Sequence, residues 1–148
     1  ICIIPDCQDI ILLTGDLGYS FFEPFIKRFP KQFINCGVIE QSMVGIAVGL
    51  ALAGKKPYVF STSTFLIFRA TEQIRNDVCY QNNNVKLVGT AGKQWNFLGY
   101  THIPADKEDI KTLLNFPSIR IYEPSTEKEM DELMLKEYKR EGPAYFRL

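Results

Sequence analysis

One carboxylate stands apart from its surroundings. From Phe33 to Gly54 the chain reads FINCGVIEQSMVGIAVGLALAG, in which Glu40 is the one carboxylate. Beyond it, apolar and small residues fall on every face of a helix, a pattern that predicts a helix buried all round. An ionised carboxyl there is costly, so Glu40 is expected either to be neutral through a raised pKa or to be held by a specific partner. Groups perturbed in this way work as acids and bases and cluster at functional sites. The spacing fits equally a plainer role, at a helix N-terminus near the positive end of the macrodipole. A membrane span is not indicated: the uninterrupted apolar run, Met43 to Ala53, is about half the ~20 residues a span needs. Gly45 and Gly49 form a GxxxG pair, expected here to allow close packing on a sheet.

Other side chains with chemical capacity are scattered. Asp16 lies in the turn Gly15-Asp16-Leu17-Gly18, and Ser20 follows where it can cap a helix. Phe65 and Phe68, three residues apart, share a helix face, with Arg69 next to them. Taken singly, these read as a turn acid, an N-cap, core aromatics and a surface arginine. His102, the chain's one histidine, sits in a segment without periodicity, Thr90 to Ala105, of the kind that carries binding residues.

The elements that must position these residues alternate between strand and helix. Continuous apolar or β-branched runs predict strands at Ile10–Thr14, Phe33–Cys36, Pro57–Ser61, Val85–Gly89 and Ile119–Tyr122, with a sixth formed by Ala-Tyr-Phe-Arg-Leu, residues 144–148. Helices are expected from Phe21 to Phe29, from Glu40 to Gly54, and from Phe65 to Gln81 with N-cap oxygens among Ser61, Thr62, Ser63 and Thr64. Two more are expected: Asp106 to Phe116, with Ile110, Leu113 and Leu114 on one face, and one opened by a capping box from Thr126 to Glu129 and striped by Met130, Leu133, Met134 and Tyr138. This alternation predicts a three-layer α/β fold, an approximately six-stranded, mostly parallel sheet with helices on both faces. Ligands of such sheets bind beyond the carboxyl ends of the strands, where Gly15–Ser20, Gly37–Glu40, Ser61–Phe68 and Thr90–His102 converge.

Bulk composition narrows the classes. The chain has 148 residues, 46% hydrophobic, 23% charged, with zero formal net charge. That suits one domain with a real core and points to neither nucleic acid nor an anionic membrane. Cys2, Cys7, Cys36 and Cys79 show no CxxC spacing, so a zinc site is not expected and a reducing, cytoplasmic setting is. The missing initial Met and the final strand-like residues suggest a piece of a longer polypeptide.

Three groups of motifs, in order, carry a resemblance: GDLG at 15–18 with RFPKQFIN at 28–35 and GVIEQSMVGIA at 37–47; STFLIFRA at 63–70 with EQIRND at 72–77; and GYTH at 99–102 with EDI at 108–110 and GPAYFRL at 142–148. Together they resemble the pyrimidine-binding domain of the transketolase family over nearly the whole chain. Transketolases split into two chains are the nearest likeness, and 1-deoxy-xylulose-5-phosphate synthase shares the pattern.

The resemblance implies the thiamine-diphosphate-binding fold and a role for the odd carboxylate. It implies that Glu40 hydrogen-bonds the pyrimidine nitrogen of thiamine diphosphate and favours its imino tautomer, so that the cofactor takes the proton from its own thiazolium carbon. It implies further that Phe65 and Phe68 form an aromatic wall against the pyrimidine, with Arg69 lining the pocket. Asp16 approaches the cofactor across a dimer interface on this view, and Ser20 and His102 contact a sugar-phosphate substrate. The chain departs from the family pattern at Tyr100, where proline is usual, at Leu98, where aspartate is usual, and in Lys93-Gln94-Trp95-Asn96, which lacks the usual glycines. The family's Gly-Asp-Gly motif, which with a later Asn holds magnesium and the diphosphate, occurs nowhere in the sequence. The resemblance therefore implies a diphosphate-binding transketolase domain or chain as partner, magnesium held there, a homodimer, and a further C-terminal domain. Three functions stay open on sequence: a transketolase component, another thiamine-diphosphate enzyme component such as deoxyxylulose-phosphate synthase or a 2-oxoacid dehydrogenase beta chain, and a non-catalytic assembly domain.

Overall fold

The continuous apolar runs become strands, buried on both faces in the middle of the sheet and partly exposed at its two edges. Ile10–Thr14 (β1), Phe33–Asn35 (β2), Lys56–Thr62 (β3), Lys86–Thr90 (β4), Arg120–Tyr122 (β5) and Ala144–Arg147 (β6) pair throughout in parallel, in the order β2-β1-β3-β4-β6-β5. These elements come from a computed structural model that describes residues 8–91 and 104–148. Every residue of β1 is buried, as a two-sided parallel strand requires. Leu13, Met43, Val44, Val59, Ile67 and Leu87 fill the core on one side of the sheet, and Leu12, Phe22, Phe25, Phe60 and Phe146 fill the other.

Among the described residues five α-helical segments flank the sheet: Glu23–Arg28 (α1), Glu40–Leu52 (α2), Thr71–Gln73 (α3), Glu108–Leu113 (α4) and Glu127–Tyr138 (α5). The last is capped as expected: the Glu129 N–H donates to Thr126 Oγ1 (3.2 Å), and Glu129 Oε2 reaches back to the N–H of Ser125 (2.8 Å). Ser20, by contrast, does not cap α1. Its backbone turns into the left-handed region (φ 64°), its N–H donates to Glu23 Oε1 (2.6 Å), and the helix begins only at Glu23 with Pro24 in its first turn.

The long helix expected from Phe65 is a composite, wide-turned π segments at Phe65–Arg69 and Ile74–Tyr80 on either side of α3. None of the hydroxyls before it serves as its cap. β3 runs on through Thr62, Ser63 Oγ donates to the Thr90 carbonyl (2.9 Å), and Thr64 is already helical without a side-chain cap. In α4 Leu113 is buried, while Leu114 lies just past its end with 70% exposure and does not share the buried face.

α2 also departs from expectation. It is not buried all round: Glu40, Met43, Val44, Ala47 and Val48 face the core, whereas Gly45, Ile46, Gly49 and Leu52 face outward. Among the described residues a Cβ at Gly45 or Gly49 would meet nothing within 4 Å, so the GxxxG pair does not pack on the sheet. Glycine inside an exposed helix costs ~0.5–1 kcal/mol relative to alanine. Gly45→Ala and Gly49→Ala are therefore each expected to stabilise this chain by about that amount in urea denaturation. A loss of stability would show that these positions pack within the chain after all.

Two charged networks brace the sheet. At the amino ends of β4 and β6, fully buried Lys86 donates to Glu137 Oε2 (3.3 Å) and to the Gly142 carbonyl (2.7 Å), and Glu137 also accepts from Arg120 and Tyr122. At the carboxyl end of β6, Arg147 bridges Asp109 (3.0 Å) and Glu123 (2.9 Å), while Tyr145 donates to Asp109 (2.7 Å).

Candidate functional site

Glu40 is the first residue of α2, so the chain leaving β2 delivers it to the carboxyl edge of the sheet. It is 3% exposed and held at both oxygens. Oε1 accepts from Ser61 Oγ (3.1 Å) near the end of β3, and Oε2 accepts from Arg69 Nη1 (2.9 Å). Of the two ways to accommodate a buried carboxyl, the fold thus supplies specific partners.

Ser61 is fully buried, although its place ahead of a helix suggests a capping hydroxyl instead. Space for it comes from Gly15, where a Cβ would lie 3.2 Å from Ser61 Oγ and 3.5 Å from Met43 Cε. That is tight enough to press on the hydrogen bond to Glu40. The Arg69 guanidinium, four residues after Phe65 along the first wide-turned segment, lies over the Phe65 ring at 3.7 Å. Such wide turns are frequent at functional sites. A cleft of about 340 Å³ opens over this cluster, lined by Val38, Ile39, Glu40, Gln41, Ser42 and Arg69. A larger apolar groove of about 600 Å³ lies on the other side of the sheet among Leu12, Phe60, Val88 and Met134, away from Glu40.

The other candidate residues are placed differently. Neither phenylalanine is among the residues lining the cleft: Phe65 meets it through the Arg69 guanidinium that lies over its ring, and Phe68 stands 40% exposed. Asp16 is exposed with φ 58°, and its carboxylate accepts from the Tyr19 hydroxyl and from Asn35 Nδ2 (3.0 Å). Those bonds, Tyr19 first and then Asn35, hold its carboxyl below the usual range. Asn35 Oδ1 accepts in turn from the N–H groups of Asp16 (3.2 Å) and Gly37 (3.0 Å). Asp16 and Asn35 therefore tie the end of β1 to the turn that leads into Glu40. Asn35 is not among the residues singled out from sequence, although an asparagine two residues before a glycine is a common turn signal. Ser20 is exposed beside this turn. His102, Tyr100 and Leu98 fall outside the described residues, as does most of the Thr90–Ala105 segment.

A parallel α/β sheet carrying one clamped acid at the start of a helix, with an aromatic ring and an open cleft beside it, defines a ligand-binding domain of the doubly wound class. The profile of the transketolase pyrimidine-binding domain matches residues 1–148, and the chain belongs to that family. It is 44% identical over 142 residues, 95% of its length, to one of the subunits of the apulose-4-phosphate transketolase of Actinobacillus succinogenes, and it covers 45% of that polypeptide. It is 37% identical over 95% of its length to a putative transketolase C-terminal section of Methanocaldococcus jannaschii, again covering 45%. Among solved structures it superposes on a split-gene transketolase in the form of an inactive beta4 tetramer, with TM-score 0.83 and 34% identity over 95% of this chain and 45% of that one. The chain thus spans a little under half of each of these relatives.

Proposed function

We propose that this chain is the pyrimidine-binding half of a thiamine-diphosphate-dependent, transketolase-like enzyme that transfers a two-carbon ketol unit between sugar phosphates. In this reading it works with a diphosphate-binding domain or chain, which holds magnesium, within a cytoplasmic assembly containing two copies of each half. The observation that carries the reading is Glu40, buried at the floor of a cleft with both oxygens fixed. Similarity to subunits of two apulose-4-phosphate transketolases supports it.

The described residues fit one half of the cofactor. Glu40 offers a carboxylate to a ring nitrogen, Phe65 offers an aromatic face, and Val38 and Ile39 give the cleft apolar walls. The bound cofactor supplies the electron sink for breaking and making the carbon–carbon bond next to a ketose carbonyl. Glu40 holds a proton at the pyrimidine nitrogen, and Ser61 fixes the oxygen that faces away from Arg69. Asp16 and Asn35 set the turn that aims Glu40. The exposed apolar residues Ile46, Leu52 and Phe68 form the surface on which other subunits sit.

Because the sequence lacks Gly-Asp-Gly, this chain alone should not hold the cofactor's charged end. Calorimetric titration of thiamine diphosphate and magnesium is expected to show no saturable binding to the isolated chain, and saturable binding once the diphosphate-binding partner is added. Tight binding by the chain alone would overturn the two-part reading.

A further inference from the structure

One guanidinium occupies both places that the proposed function reserves for a pyrimidine ring. Arg69 donates to Glu40 Oε2 at 2.9 Å and covers the Phe65 ring at 3.7 Å. A guanidinium is flat, cationic, stacks on aromatic faces and presents N–H donors in its own plane to a carboxylate. Those are also the features by which a protonated aminopyrimidine would be recognised here. The side chain is free enough to leave: it is 45% exposed at the cleft wall, and Glu40 is its one ion-pair partner among the described residues.

We propose that Arg69 is a latch that stands in for the ring while the site is empty, satisfying buried Glu40 and shielding Phe65, and that it swings outward when the cofactor loads. The proposal rests on the reading of Glu40 as the ring's carboxylate partner. Its physical basis is that a buried carboxylate needs a partner at every stage, and among the described residues Ser61 covers only Oε1. The closed latch therefore keeps the empty domain folded around its acid, at the expense of cofactor affinity. Apparent affinity falls by the fraction of molecules that are open, and a charge-assisted hydrogen bond with a stacked partner is strong enough to make that factor about ten to a hundred.

Two measurements test this. In the isolated chain labelled with ¹⁵N-arginine, the Arg69 guanidinium is expected to give slowed, resolved Nη signals that average in Glu40→Gln; averaged signals in the wild type would overturn the latch. In the enzyme assembled with its diphosphate-binding partner, Arg69→Ala is expected to bind thiamine diphosphate about ten- to a hundredfold more tightly. Arg69→Lys, which keeps the charge but cannot lie flat on Phe65, should fall between Ala and wild type, and it serves as the fold control. Unchanged or weaker binding by both variants overturns the latch. That failure is distinguishable from a failure of the Glu40 reading, because exchange of the thiazolium proton in Glu40→Gln reports on the acid alone.

Discussion

Glu40→Gln, in the enzyme assembled with its partner, is expected to keep the fold and the bound cofactor while slowing deuterium exchange at the cofactor's thiazolium carbon by ~10²–10⁴-fold, the usual loss when a positioned acid or base is removed. Glutamine has nearly the same shape, so the packing of α2, through Met43 and its neighbours, against the sheet is spared. Its amide can still accept the Ser61 hydrogen bond that now reaches Oε1 at 3.1 Å. What it cannot do is carry the proton. A residue that served only the helix macrodipole would be worth ~0.3–1 kcal/mol, too little for such a rate loss. Wild-type exchange in a folded glutamine variant would remove Glu40 from the chemistry and favour a non-catalytic assembly role.

The largest expected effect on stability lies at the opposite edge of the sheet. Burial alone would raise the Glu137 carboxyl, but hydrogen bonds from Arg120 and Tyr122 and the charge of Lys86 bring it down to about 2. Burial drives the Lys86 ammonium down to about 8 against the pull of Glu137. A carboxyl whose pKa falls on folding contributes stability that is complete above its unfolded value and is lost as the pH drops. The Glu137 contribution should therefore decline from about pH 4.5 and be gone near pH 2. Glu137→Gln leaves the Lys86 charge buried without its counterion, which typically costs ~3–5 kcal/mol. Chemical denaturation is expected to show that loss at pH 7 and little difference between variant and wild type near pH 2. A variant as stable as wild type at neutral pH would mean that the Arg140 and Gly142 carbonyls, which also accept from Lys86, suffice for its charge.

How much of this could be read from sequence varied with the range of the interaction involved. All six strands, their parallel pairing and the start of α2 were legible, because strands write themselves into local apolar or β-branched runs, most plainly where burial is two-sided as in Ile10–Thr14. Glu40 was legible as an anomaly for the same reason. Its partners were not. Ser61 lies 21 residues away and Arg69 lies 29 away, and both had good local explanations as a cap and a surface cation. The solvent face of α2 was hidden because Gly45, Ile46, Gly49 and Leu52 are as apolar or small as the residues on its buried face. Apolar pattern records that a face is to be covered, and does not record by which chain. Ser20 misled because its left-handed backbone places the helix start three residues later.

The strand order has a consequence for how the chain is made. β6, the last of these strands in sequence, lies between β4 and β5, and among the described residues β5 pairs with no other strand. A growing chain can zip β2, β1, β3 and β4 together as they emerge from the ribosome, but β5 and α5 have no edge to dock on until residues 144–147 arrive. Buried Lys86 must likewise wait for Glu137 and the Gly142 carbonyl, more than fifty positions downstream. Such late, distant pairings are slow to form and leave apolar surface exposed meanwhile. Between the synthesis of β4 and that of β6 the nascent domain therefore has an open edge at β4, and that edge is where a chaperone, or a neighbouring nascent copy, would first find it.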